Sequence, residues 1–215
     1  MEKEIITALA LGIGLAAATG FRVFVPLLIA GIAARLGVLP LNEHFSWLSG
    51  NTALLCFGVA TVVEVTAYYI PFVDNLLDHI STPLAIGAGT LVSASVLPGD
   101  NELLKWITEF IIGGGTAAVV QGGTTALRLG STGTTAGTGN FLVATGENIA
   151  AVITPVIAIV IPVVVALFFL GATFLVLRLI LKRRKRKTAA KKMEGTLLSV
   201  LCVICFYTTI LYTIF

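Results

Sequence analysis

Charge is what this sequence most lacks. Only 12% of its 215 residues are Asp, Glu, Lys or Arg, about half the share that soluble domains carry. With 57% hydrophobic residues and a mean hydropathy of +1.00, too few polar side chains remain to cover the outside of a water-soluble helical core. A globular enzyme or binding domain of ordinary composition is thereby excluded. Cysteine is scarce as well. The three present cannot build a disulfide framework, and Cys202 and Cys205, though spaced as C-x-x-C, lie in an unbroken apolar stretch with no histidine or second pair. They are expected to be packing or lipid-facing residues. What the chain has instead is glycine, 22 residues of it, as where helices approach closely in lipid. The expected fold is all-α: a polytopic helical membrane protein of one membrane domain with about six full or partial spans.

The charges present are unevenly placed. Lys182, Arg183, Arg184, Lys185, Arg186, Lys187, Lys191 and Lys192 form one basic run, leaving six basic against 11 acidic residues elsewhere. Beside a long apolar segment such a run marks the cytoplasmic side of a membrane more simply than a nucleic-acid surface. A cell-membrane, multi-pass location with residues 182–192 in the cytoplasm is therefore expected, with no nucleic-acid partner. The N-terminus offers Lys3, an apolar run and Ala16 to Ala18 as a cleavage-like site, but Glu2 and Glu4 spoil a basic leader and hydrophobicity continues to Ala34. An uncleaved membrane segment fits better.

Apolar lengths give the organisation. Residues 5–34 are too long for one straight span, and Gly20 and Pro26 break them around Arg22; a helix over 5–19 and a kinked or re-entrant piece over 21–36 are expected. A polar loop over 39–51 with Trp47 as interfacial anchor precedes a span over 52–70 ended by Pro71. Residues 72–80 read as a short amphipathic helix, 83–97 as a small-residue apolar segment, 98–101 as a turn and 102–120 as a further span. Residues 121–146 are so rich in Gly, Thr and Ser that a continuous helix is not expected there, each glycine costing about 1 kcal/mol. Residues 147–181 suit a half-helix and a full span, interrupted at Pro155 and Pro162, and 196–215 is a last uncharged span. The domain reading is a first half over 1–100, a second over 101–181, a basic cytoplasmic linker over 182–195 and a C-terminal transmembrane helix over 196–215.

Ionisable groups at bilayer depth are costly, about 2.5–3.5 kcal/mol each on insertion scales, and are candidates for function. Four qualify: Arg22, Glu64, Arg128 and Glu147. Thr19 to Val23 parallels Thr125 to Leu129, and Glu64 with Ala67 and Pro71 parallels Glu147 with Ala150 and Pro155. This suggests a pseudo-repeat, an inverted repeat with broken or re-entrant helices, although the Arg-to-Glu spacings of 42 and 19 residues differ. Such symmetry points to a transporter's central site. Arginine forks bind phosphate or carboxylate bidentately, and glycine-rich backbone and the hydroxyls of Thr124, Thr125, Thr132, Thr134 and Thr135 would add donors. Arg22, Arg128, Glu64, Glu147, Thr19 and Thr125 are thus the candidate substrate-binding residues. The alternative is that the four charges are ion pairs that clamp helices. The Gly/Thr run lacks a P-loop lysine, so nucleotide hydrolysis is not supported. Asp74 and Asp78, an i,i+4 pair, with His79 are weak candidates for a divalent metal or an interface phosphotransferase; a polar face at the lipid surface is the simpler reading. No metal or cofactor is called for, and no catalytic residue is assigned.

Three stretches carry a resemblance: Gly14 to Leu28, with Phe21, Arg22, Val23, Phe24, Val25 and Pro26; Val63-Glu64 through Ile70-Pro71-Phe72-Val73-Asp74; and the lead into Leu127-Arg128 with the polar run to Glu147. On these the chain resembles the small bacterial membrane proteins that carry the uncharacterised domain DUF4126, over about residues 5–180. The resemblance implies a helical membrane fold and no particular chemistry. It leads one to expect charged residues where Tyr68 and Tyr69 stand, and 196–215 looks like an addition to the family pattern. The leading expectation is a secondary transporter or flippase for an anionic substrate, either a small molecule or a phosphate-bearing lipid, with membrane lipids as partners. A non-transporting scaffold that binds lipid or a partner protein is the alternative, and a membrane-interface enzyme the third.

Overall fold

The computed structural model describes residues 2–97, 102–135 and 138–175 together with Arg178 and Lys182; within these, the side chains of Glu2, Pro71, Phe72, Asp74, Asn75, Leu76, Asp78, His79 and Glu102 are not described. The elements are α1 (Glu2–Thr19), α2 (Phe24–Arg35), a 3-10 turn (Glu43–Ser49), α3 (Asn51–Ala67), α4 (Pro71–Val96), α5 (Glu102–Glu109), a π turn (Phe110–Gly114), α6 (Gly115–Thr135) and α7 (Asn140–Val160), followed by an apolar helix α8 (Pro162–Leu175). Among the described residues there is no strand. Residues up to Thr173 form one compact unit and the chain from Phe174 a second. The expected linker at 182–195 and span at 196–215 lie outside the described residues, Lys182 excepted.

α1 is the central helix and packs against α2, α4, α6 and α7. Its sequence allows this: Ala16, Ala17 and Ala18 are fully buried, and small side chains bring neighbouring backbones within van der Waals reach. At Gly20, which ends α1, a Cβ would lie 2.7 Å from the Ala117 carbonyl oxygen and 2.5 Å from Val120 Cβ. The chain turns there through Gly20 N–H to Ala17 O (3.1 Å) and Phe21 N–H to Ala18 O (3.0 Å), and resumes as α2 at Phe24. Pro26 is accommodated because it sits in the first turn of α2, where backbone N–H groups have no intrahelical partner. The expected break between residues 19 and 24 is thus present, with Arg22 inside it.

Several expected boundaries are corrected. Residues 121–135, read as unsuited to a continuous helix, are helical: α5, the π turn and α6 run on as one 33-residue helix from Leu103 to Thr135. Threonine side chains bond back to their own turns, as in Thr134 Oγ1 to Gly130 O (3.0 Å) and Thr135 Oγ1 to Ser131 O (2.7 Å). In apolar surroundings a helix is also the conformation that satisfies its own backbone, and this outweighs glycine's weak propensity. The chain leaves the helix only later, with turn conformation at Thr138 and Gly139. Residues 72–80 and 83–96 are parts of the single helix α4, which passes through Pro83, and Leu97 is its extended C-cap. Pro155 likewise lies inside α7, and the break falls instead at Ile161, before Pro162. The expected loop at 39–51 contains the 3-10 turn, where Asn42 Oδ1 accepts the His44 N–H at 3.4 Å.

The exterior is apolar. Leu55, Leu127, Leu129, Leu142 and Val160 are each 66–73% exposed, far more contiguous apolar surface than a water-soluble monomer shows. By length and composition two helices, Leu103–Thr135 and Asn140–Val160, suit a membrane crossing, and a third does if Glu43–Ser49 and Asn51–Ala67, bent by 59°, count as one span. Three shorter apolar helices, Phe24–Arg35, Ile80–Val96 and Pro162–Leu175, accompany them. About six full or partial spans were expected, one of them, 196–215, outside the described residues; among the described residues two or three helices have membrane length and three more apolar helices are shorter.

Candidate functional site

The break between α1 and α2 projects Arg22 inward, where it is 1% exposed. All three of its guanidinium nitrogens donate. Nε donates to Asn148 Oδ1 at 2.6 Å, Nη1 to Glu147 Oε2 at 2.8 Å and to the Phe21 carbonyl at 3.1 Å, and Nη2 to the Ala144 carbonyl at 3.3 Å. Arg128, on α6 and 3% exposed, reaches the same carboxylate from the other side. Its Nε lies 3.0 Å from Glu147 Oε1, and its Nη2 bonds Glu147 Oε2. The α7 residue Glu147 therefore bridges two arginines, one of them through a fork-to-fork pair.

Tyr68, at the C-terminal end of α3, completes the cluster. Its buried ring lies 3.8 Å from Arg22 Cζ and 4.3 Å from Arg128 Cζ, measured to the ring centroid. Guanidinium groups are weakly hydrated planar cations that stack well on aromatic rings. Nearby, Asn148 Nδ2 donates to the Tyr69 hydroxyl at 3.0 Å, which also contacts Thr145 Oγ1 at 3.3 Å.

Glu64 plays a different part. Its Oε1 accepts the Val23 N–H at 2.7 Å and its Oε2 the Phe24 N–H at 3.0 Å. A side chain from α3 thus caps the start of α2, supplying the acceptor that its first N–H groups lack and placing negative charge at the positive end of the helix. The proposed correspondence between the two halves does not extend to local structure. Arg22 lies in a break and Arg128 within a continuous helix; Glu64 meets backbone and Glu147 meets both arginines.

The remaining candidates divide. Thr19 Oγ1 bonds the Ala16 and Ala85 carbonyls at 2.7 and 3.3 Å, tying α1 to α4. Thr125 Oγ1 is buried and has no hydrogen-bond partner. Thr124 bonds back to Gln121 O at 2.9 Å, and Thr132 Oγ1 accepts from Asn140 Nδ2 at 3.0 Å. Thr125 apart, the threonines of the Gly/Thr segment thus spend their hydroxyls on their own backbone and on the start of α7. The side chains of Asp74, Asp78 and His79 lie outside the described residues. Among the described residues no group of three or more His, Cys, Asp or Glu could hold a metal ion.

Sequence reasoning missed Asn148, Tyr68 and two further buried polar pairs: Gln121 Nε2 to Ser81 Oγ at 2.8 Å, and Ser93 Oγ to Glu109 Oε2. Glu109, fully buried beside the π turn, had a signal in the sequence, an acidic residue inside an apolar stretch. Tyr68 was marked only as a departure from the charge that the family resemblance leads one to expect at its position, and not as a partner of the arginines.

One groove borders the cluster. It has a volume of about 520 Å³ and runs between α3 and α4, with Glu64, Tyr68 and Ser81 among apolar walls. Neither Arg22 nor Arg128 is among the described residues that line it.

Residues 9–182 match the model of the family described as Domain of unknown function (DUF4126). The match takes in Arg22, Glu64, Arg128 and Glu147 and ends before residues 196–215. No curated protein and no solved structure matches the chain. The chain belongs to the DUF4126 family.

Proposed function

From membership of that family as premise, we propose that this chain is a multi-pass integral membrane protein whose buried charges clamp its helices, and that it serves as a lipid- or partner-binding scaffold. The membrane assignment is supported by the low charge, the apolar exterior and the membrane-length helices. The basic run at 182–192 faces the cytoplasm of the cell membrane under the positive-inside rule. One observation carries the scaffold reading: each guanidinium nitrogen of Arg22 donates to Glu147, Asn148 or a carbonyl, and Arg128 engages both oxygens of the same Glu147. An arginine site awaiting an anion would present donors to a cavity. These arginines present them to the protein.

Transport or flipping of an anionic, phosphate-bearing substrate is the second reading. It is favoured by the meeting of two guanidiniums at a single carboxylate, where an incoming phosphate would compete with Glu147. The test is the thermal stability of purified wild type, Arg22→Lys and Arg128→Lys with and without anions such as phosphate-bearing lipids. For a clamp, both lysine variants lose stability and no anion distinguishes them from wild type, because an ammonium cannot reproduce the fork whatever is added. Stabilisation of wild type alone by one anion would show an arginine-centred anion site, as the transport reading requires, and would remove the reading of the arginines as a clamp only.

A further inference from the structure

The groove beside Glu64 has a chemistry separate from the clamp. On α3, residues 55, 56, 59, 60, 63, 64 and 67 line it, a single face at helical period. α3 packs on α2 and the 3-10 turn, and its only buried residue is Glu64. Its other apolar side chains are therefore not spent on closing the gap towards α4. Leu55, Val59 and Val63 form one wall, Leu77 and Leu84 of α4 the other. A volume of about 520 Å³ lies within the range of small-molecule sites, roughly 300–1,000 Å³.

The polar end of the groove presents one carboxylate, with the Arg22 guanidinium behind it against the Tyr68 ring. Glu64 is the only charged residue among the described residues lining it. Its oxygens accept one N–H each, whereas a carboxylate offers about four acceptor positions. Acceptor capacity therefore remains. Ser81 Oγ, also at the groove, accepts from Gln121. Apolar walls call for a hydrocarbon chain. Arg22 and the start of α2 offset part of the Glu64 charge, so the distinction between heads lies in the spare acceptor positions, which an ammonium can fill with N–H donors and a second carboxylate cannot.

We propose that this groove binds a membrane amphiphile with an ammonium end, its chain between α3 and α4 and its head on the Glu64 carboxylate. The proposal rests on the membrane reading above and not on the clamp. It also reverses the ligand charge that the arginines suggest from sequence, since the arginines do not line the groove and Glu64 does.

Cys56 lines the groove and is exposed, so it serves as a reporter. The full-length protein carrying Cys202→Ser and Cys205→Ser, in an uncharged detergent, would be modified with methyl methanethiosulfonate in the presence of dodecylamine, dodecanol or dodecanoate. Dodecylamine is expected to slow Cys56 modification roughly tenfold more than dodecanoate, the ratio that a 1.4 kcal/mol preference gives. Glu64→Gln is expected to abolish that preference while chain protection persists. Should that variant fail to fold, Val59→Trp, which fills the groove without touching Glu64, is expected to remove protection by all three. Equal protection by the three heads, better protection by dodecanoate, or no protection by any overturns the proposal. None of these outcomes bears on the clamp, which is read from the stability of the arginine and Glu147 variants.

Discussion

Arg22 and Glu147, 125 residues apart in the chain, meet with Nη1 and Oε2 at 2.8 Å in a site where both side chains are at most 5% exposed. The contact fixes the α1–α2 break to α7. Arg128 brings α6 to the same carboxylate, and the Tyr68 ring brings the end of α3 against both guanidiniums. Elements from across the chain therefore converge on a few polar side chains inside an otherwise apolar molecule. On the membrane reading proposed above, the hydrophobic effect offers little preference among arrangements of apolar helices, and such contacts are what specify one of them.

Glu64 should matter through the backbone. Glu64→Ala removes the acceptor of the Val23 and Phe24 N–H groups and is expected to lower stability by about 2 kcal/mol or more, the cost of stranding buried donors. Hydrogen exchange at those two amides, measured in detergent, should quicken more than exchange elsewhere in α2. Unchanged protection there would remove the capping role.

Close packing of α4 against the π turn gives a second expectation. A Cβ at Gly113 would lie 2.7 Å from both the Gly89 carbonyl oxygen and Ser93 Cβ. Gly113→Val is expected to destabilise by at least about 1–3 kcal/mol, as overpacking does. Gly122, with nothing within 4 Å of its would-be Cβ, is the control: Gly122→Ala should be neutral or stabilising by up to about 1 kcal/mol. Equal unfolding temperatures for the two variants would contradict the packing described.

Topology is tested by labelling. A cysteine at Lys187 should react with an impermeant reagent only from the cytoplasmic side, and a tag after Phe215 only from the opposite side, if 196–215 crosses the membrane. Labelling of the tag from the cytoplasmic side would make 196–215 a surface or re-entrant element.

Much of the polar interior was legible because an ionisable residue in an apolar stretch is conspicuous. Arg22, Arg128 and Glu147 could be named from the sequence and are in direct contact, with Glu64 one helix start away. Their pairing was not legible. Whether a carboxylate meets a guanidinium or caps a helix depends on where another element's first turn arrives, and nothing around Glu64 in the sequence records that α2 begins beside it. The break at Gly20 was readable from glycine, arginine and proline together. The helix through residues 121–135 was not, because intrinsic propensity assumes a backbone that can turn to water, and an apolar setting removes that option. Asn148 escaped notice, and Tyr68 was noticed only as a departure from the family pattern, because an uncharged polar residue and an aromatic carry no mark of a cationic neighbour.

The clamp is tested most directly by the stability of Glu147 variants. Glu147→Leu alone strands two buried guanidiniums and is expected to lower unfolding free energy by roughly 3–5 kcal/mol. The triple replacement Arg22→Met, Arg128→Met, Glu147→Leu removes charges and counter-charge together and is expected to recover most of that loss. A triple variant as unstable as Glu147→Leu, or a Glu147→Leu protein as stable as wild type, would contradict a structural clamp at Glu147.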